Sequence, residues 1–332
     1  MDTVTLAHGS GGAATQKLIA EVFLRAFGNP YLKKMDDAAQ VRVEKGAWAM
    51  TTDSFVVDPI FFPGGDIGKL AVCGTVNDLA ACGAEPRYLT AGFILEEGLP
   101  VATLAKVAAS LAAEARKQGV AVVAGDTKVV PRGKADKIFI NTTGVGPIRK
   151  SLEAERIRSG DCILINGNIA EHGLAVFLAR EKLSFKARIK SDCNSLWPIV
   201  KSLLQQSISL RFMRDPTRGG VNAALHEIAS LSGLSVLLDE QALPASAACR
   251  TLADLLGLEL LDMANEGKML FFVAQQDAER CLRLLRRHPL GRRAALIGRV
   301  LKERKARVYL NTAVGGRKLL APPRQESIPR IC

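Results

Sequence analysis

From Ala47 to Thr143, and again from Ile163 to Leu310, short β-rich runs alternate with segments of helical period. A proline-bearing, charged stretch at 146–160 separates the two series. Such alternation predicts two α+β domains in succession, each a sheet backed by helices. In the first half, strands are expected at 47–57, 87–95, 120–124 and 137–143, with a turn at Pro131-Arg132-Gly133. Helices are expected at 17–27, 68–82 and 101–118, the last with positions 104, 105, 107, 108, 111, 112 and 115 on one face and Gly119 as its stop. In the second half, strands fall near 163–166, 235–238, 269–274, 294–300 and 306–310. Helices there fall near 171–182, 195–206, after Gly219-Gly220, 246–256 and 277–287. The resulting domain limits are 1–35 for a glycine-rich segment and helix, 36–150, 151–312, and 313–332 for a flexible tail.

The chain has 332 residues, enough for two separate cores. Its start shows neither a basic nor an apolar leader, and no apolar run is long enough to span a bilayer, so a soluble cytoplasmic protein is expected. The net charge is +12, concentrated at one end: from Arg286 onward there are 13 Lys/Arg against two acids. A basic block attracts acidic surfaces, phosphates or nucleic acid. No RNP motif, helix-turn-helix signature or aromatic-interleaved basic run accompanies it, which disfavours nucleic acid.

Seven cysteines, at 73, 82, 162, 193, 249, 281 and 332, form no CxxC, and most sit in apolar surroundings as small core residues. Cys332 differs, because thiol chemistry is most available at a chain end. It follows Gly315-Gly316, Pro322-Pro323 and Pro329, a hinge and then an extended stretch. Full extension from Gly316 would reach roughly 50 Å. Position and tail composition make Cys332 the expected nucleophile.

Acidic residues recur beside small ones: Asp36-Asp37-Ala38-Ala39, Thr52-Asp53-Ser54, Asn77-Asp78 and Gly125-Asp126-Thr127-Lys128. Converging carboxylates can hold Mg²⁺ against phosphates, although each motif alone is also common cap and turn chemistry. His8-Gly9-Ser10-Gly11-Gly12 could cradle phosphate with backbone N–H groups. Pro63-Gly64-Gly65-Asp66-Ile67-Gly68-Lys69-Leu70 fails as a Walker A loop, with Pro63 at the first glycine position and Leu70 replacing the hydroxyl. Arg214-Asp215-Pro216-Thr217-Arg218-Gly219-Gly220 precedes a helix and suits an anion. In Asn265-Glu266-Gly267-Lys268, a desolvated Glu266 could serve as a general base. His172 and His226 read as core or cap histidines without a catalytic role.

Together with Asp58-Pro59, Phe61–Gly65 and the final Pro329-Arg330-Ile331-Cys332, these motifs resemble the HypE family of hydrogenase-maturation carbamoyl dehydratases, in the PurM-like ATP-binding superfamily. The resemblance runs essentially end to end, and the Pro-Arg-Ile-Cys ending is its most specific part. It implies a PurM-like two-domain fold whose N-terminal sheets join into a β-barrel across a homodimer, with ATP near that interface. It implies that Cys332 is carbamoylated by the carbamoyltransferase HypF and that ATP drives dehydration to a thiocyanate. Cyanide then passes to iron on a HypC–HypD complex. It assigns Asp53, Asp78 and Asp126 to Mg²⁺ and ATP, with Asp37, Gly11, Gly12, Thr127 and Asp215 also at the nucleotide. Lys128 would stabilise phosphate or the carbamoyl oxygen, and Glu266 would be the base. Gln40 departs from the apolar residue the family pattern leads one to expect, and 41–48 reads as an exposed hairpin turning at Gly46.

Overall fold

The computed structural model describes residues 2–35, 38–303, 305–323, 328 and 330–332. The first domain opens with α1 (Ala13–Leu18) and α2 (Arg25–Phe27), joined by a π-helical stretch, Ile19–Leu24. It continues as β1 (Trp48–Phe55), a ribbon of β2 (Phe61–Phe62) and β3 (Gly65–Asp66), α3 (Ile67–Ala81), β4 (Tyr88–Glu96), α4 (Val101–Lys117), β5 (Ala121–Val130) and β6 (Ile138–Pro147). The four long strands form a sheet in the order β1-β6-β4-β5, antiparallel except between β4 and β5.

Asp66 starts α3 by accepting from the N–H groups of Gly68 and Lys69. Nearly every residue of α3 is buried, so the helix must be covered on all sides. The sheet and α4 cover part of it, and the second domain covers the rest. That position carries Asn77 and Asp78 into the seam between domains.

The second domain comprises β7 (Cys162–Ile165), α5 (Glu171–Arg180), α6 (Trp197–Leu204), β8 (Leu210–Arg214), α7 (Gly220–Ser232), β9 (Ser235–Asp239), α8 (Ala247–Leu256), β10 (Leu270–Val273), α9 (Gln275–Arg287), β11 (Ala295–Leu301), β12 (Val308–Asn311) and β13 (Arg317–Leu319). Its sheet runs β13-β12-β9-β11-β7-β10-β8. All residues of β7 and β10 are buried, as continuous apolar runs in central strands should be.

Three segments depart from the sequence reading. Residues 41–47 form an exposed stretch without strand pairing rather than a hairpin; Glu44 accepts from the Trp48 indole N–H, and Arg42 from the Tyr88 hydroxyl. The edge strand β8 is short and mixed in polarity, so periodicity does not reveal it. The third lies at the root of the tail. β13 pairs with β12 around a turn in which Gly315 adopts φ +88°, so glycines that read as a hinge build a hairpin. Asn222 then donates to Ala321 O at 3.0 Å. Only 322–332 extend past this anchor, and their full reach is roughly 35–40 Å.

Candidate active site

Four predicted acids meet in the seam. Asp53 sits near the end of β1 and accepts from Ser54 N–H at 2.8 Å. Asp78 accepts from Thr51 Oγ1 at 2.8 Å, which links α3 to the same strand. Asp215 follows β8, which packs on α3. Burial pushes the Asp53 carboxyl up, offset in part by Ser54 N–H and by Arg218. Asp78 is raised to about 6 by burial, against the Thr51 bond, with Asp53 adding repulsion. Asp215 is raised to about 7 by burial and by Asp78. These carboxylates are short of positive charge, although Arg214 and Arg218 lie within electrostatic reach.

Glu266 completes the group. It is 3% exposed, and burial holds its carboxyl well above the usual range, with Cys193, Asp215, Asp192 and Asp53 adding to the effect. A buried pair fixes its loop. Asp192 accepts from the backbone N–H of Glu266 at 3.1 Å and of Gly267 at 3.2 Å, and from Lys268 Nζ at 2.8 Å. Burial opposes the charge on Asp192, yet Lys268, His172 and these bonds outweigh it and hold the carboxyl below its ordinary range. A Cβ on Gly267 would lie 1.9 Å from Asp192 O, so only glycine allows this approach. Asn77 sews the domains together here, donating to Asn194 O and Glu266 O and accepting from Leu196 N–H at 2.7 Å.

The other predicted residues gather elsewhere. Asp126 and Lys128 lie on β5, 67% and 64% exposed, paired with each other at 2.9 Å. The Lys128 bond holds the Asp126 carboxyl below its usual range. Asp126 aligns with Gly92, Asn141 and Ser54 across the sheet, so β4 and β6 separate it from β1. Three strand spacings amount to roughly 14 Å. Within one chain, Asp126 therefore does not join Asp53 and Asp78, because it stands on another strand and on the opposite face from Asp53. Thr127 and Thr15 line an apolar cavity of 220 Å³ walled by Phe23, Phe93 and Tyr31. Gly11, in a left-handed turn at φ +84°, and Gly12 introduce α1 beside it. Asp37 lies outside the described residues.

The tail enters the seam from the other side. Ile328 and Ile331 are buried against Gly173, Arg218, Gly219 and Met263. Val56 N–H donates to Cys332 O at 3.0 Å, three residues after Asp53. His172 lies 2.8 Å from Ile331 O, and Arg180 donates to Arg330 O at 2.6 Å. The Arg330 guanidinium pairs with Asp136. Sequence reasoning missed His172, Arg180 and Asp192. Their partners lie dozens to hundreds of positions away, so no local pattern marks them; Asp192 sits in a polar run, Ser191-Asp192-Cys193-Asn194-Ser195, that reads as an ordinary loop.

Models of the AIR synthase related protein match residues 35–148 with its N-terminal domain and 158–311 with its C-terminal domain. Carbamoyl dehydratase HypE of Escherichia coli strain K12 is 48% identical, with both chains covered completely. A solved structure of hydrogenase maturation protein HypE in complex with ATP superposes with a TM-score of 0.96 at 47% identity, over 99% of this chain and all of that one. HypE in a HypE–HypF complex superposes with a TM-score of 0.81 at 43% identity, over 94% of this chain and all of the other. Fold, seam acids and full-length similarity agree, and the chain belongs to the HypE family of carbamoyl dehydratases, built on the two-domain AIR synthase related fold.

Proposed function

We propose that this protein uses ATP to dehydrate a carbamoyl group carried on Cys332, converting the thiocarbamate to a thiocyanate. The observation that carries the reading is one meeting place: four desolvated acids and the docked end of the chain share the seam between domains. The carbamoyl oxygen is a poor leaving group until it takes the γ-phosphoryl group of ATP; phosphate then departs as both N–H protons are lost, leaving S–C≡N, ADP and phosphate. Glu266 is placed to accept a proton. Burial raises its pKa, and cations in the seam would draw it back towards the ionised form, the carboxylate that can take a proton.

Asp53, Asp78 and Asp215 offer hard oxygen donors whose electrostatics favour a cation, so they fit Mg²⁺, which shares its shell with phosphate oxygens and water. Among the described residues no three side chains close a metal site by themselves. Bound there, Mg²⁺ would neutralise phosphate charge. Asp126 and Thr127 line the apolar cavity, with Lys128 next in β5 and Gly11 and Gly12 leading into α1, and we assign the cavity to the nucleotide base. Thr52, Ser54, Ile94 and Asn141 leave the outer sheet face exposed. Joining that face to a second copy as a barrel would set Asp126 and Lys128 against the partner's seam. HypF as carbamoyl donor and a HypC–HypD complex as cyanide acceptor complete the reading.

Mass spectrometry of the Cys332 peptide tests it. Protein carbamoylated by HypF, repurified and given Mg²⁺–ATP, should lose water from Cys332 only in that second step. An adduct on another cysteine, or no ATP-dependent loss, sinks the reading. Cys332→Ala should bind ATP yet form no thiocyanate.

A further inference from the structure

The backbone oxygens of the last three residues are all held. Arg330 O accepts from Asp58 N–H at 3.3 Å and from Arg180 at 2.6 Å, and Cys332 O accepts from Val56 N–H at 3.0 Å. Ile331 O faces His172 Nε2 at 2.8 Å. A carbonyl oxygen only accepts, so Nε2 carries the hydrogen. Burial pushes the His172 imidazole down, against Asp192 and the Ile331 bond, so the ring is neutral and Nδ1 is an acceptor. Ser191 Oγ, 2.7 Å away, therefore donates to Nδ1, and it accepts from Cys193 N–H at 3.0 Å. The edge of Phe62 fixes the ring plane, with centroids 5.4 Å apart at 90°. Val56 and Asp58 belong to the first domain, His172 and Arg180 to the second, so the tail is stitched to both.

We propose that His172, its tautomer set by Ser191, is a positioning residue that seats the tail for dehydration by gripping the Ile331 backbone. The proposal rests on the dehydratase reading above.

Full-length His172→Ala, His172→Gln and Ser191→Ala proteins test it with three readouts. One is the single-turnover rate of ATP-driven water loss from pre-carbamoylated Cys332. Another is iodoacetamide alkylation of the free Cys332 thiol, with exposed Cys82 as internal reference. The last is the ATP concentration at half-maximal rate. Losing one buried hydrogen bond and its ring should slow dehydration in His172→Ala about ten-fold, with faster Cys332 alkylation and an unchanged ATP midpoint. His172→Gln, which keeps an N–H donor, should recover much of the rate, and Ser191→Ala should lose about two- to three-fold. Wild-type rates and alkylation in His172→Ala would overturn the proposal. So would equal slowing in His172→Ala and His172→Gln without faster alkylation, or a shifted ATP midpoint. If even the wild type loses no water with ATP, the dehydratase reading fails, while alkylation still decides the seat.

Discussion

The seam acids and the β5 pair use the same residue types to opposite effect. Asp53, Asp78, Asp215 and Glu266 are crowded and desolvated, and their carboxyls are raised by burial and mutual repulsion. Asp126 stands in solvent with Lys128 beside it, and its carboxyl is lowered. The seam stores a demand for positive charge, which a nucleotide-bound cation would meet. The β5 pair is already neutralised; what it lacks is a surface to act upon. An acidic motif thus shows what a residue can bind, and its surroundings decide whether it is waiting for a cation or for another copy of the chain.

Four experiments would break or sharpen that contrast. The largest effect is expected for Glu266→Gln, which should slow ATP-driven water loss by about a hundred-fold or more while ATP binding and Cys332 carbamoylation persist. A wild-type rate would make the buried acid purely structural. Next, Asp53→Asn and Asp126→Asn should each inactivate the protein alone. Refolded together in equal amounts, they should regain roughly a quarter of the activity, because half the dimers carry one intact site of two. No recovery would place both acids in a single-chain site.

The third effect is on stability. Asp78 and Asp215 keep protons to about pH 6 and 7 when folded, against a reference value of 3.8. Between those limits the folded state binds more protons, so stability is full below about pH 4, falls as pH rises towards 7, and then levels. Asp78→Asn should flatten that slope and stabilise the nucleotide-free protein near neutrality by about 1 kcal/mol, roughly 2–4 °C in Tm. Thermal melts across pH check this, and a lower Tm for the variant would contradict the charge-crowding account. The smallest change is expected at the surface. Asp136→Asn removes the exposed partner of Arg330 and should speed Cys332 alkylation by about two-fold.

Much of this site is legible in the sequence because its acids travel with local punctuation. Asp53 lies within a β-rich run, Asp78 lies near the end of a helical period, and Asp215 and Glu266 sit in loops before an expected helix and strand. Those positions are fixed by short-range pattern. Which acids meet is not, since it depends on the almost wholly buried α3 being wedged between domains and on strand order putting β6 and β4 between Asp53 and Asp126. His172 reads correctly as a buried histidine, yet its partner lies 159 residues away. β13 stays hidden because Gly315-Gly316 fits a hinge as well as a hairpin turn.

The anchor at Ala321 makes the end of the chain a tethered ligand for its own seat. Eleven residues of tether hold Cys332 near that seat at an effective concentration on the order of millimolar. A seat with only millimolar intrinsic affinity would then be occupied about half the time, and the cysteine would be free to meet a donor and an acceptor for the other half. The backbone hydrogen bonds, the buried Ile328 and Ile331 and the Arg330–Asp136 pair together set that strength. Tightening them would raise occupancy and remove the cysteine from its partners, so an improved grip should make a slower carrier.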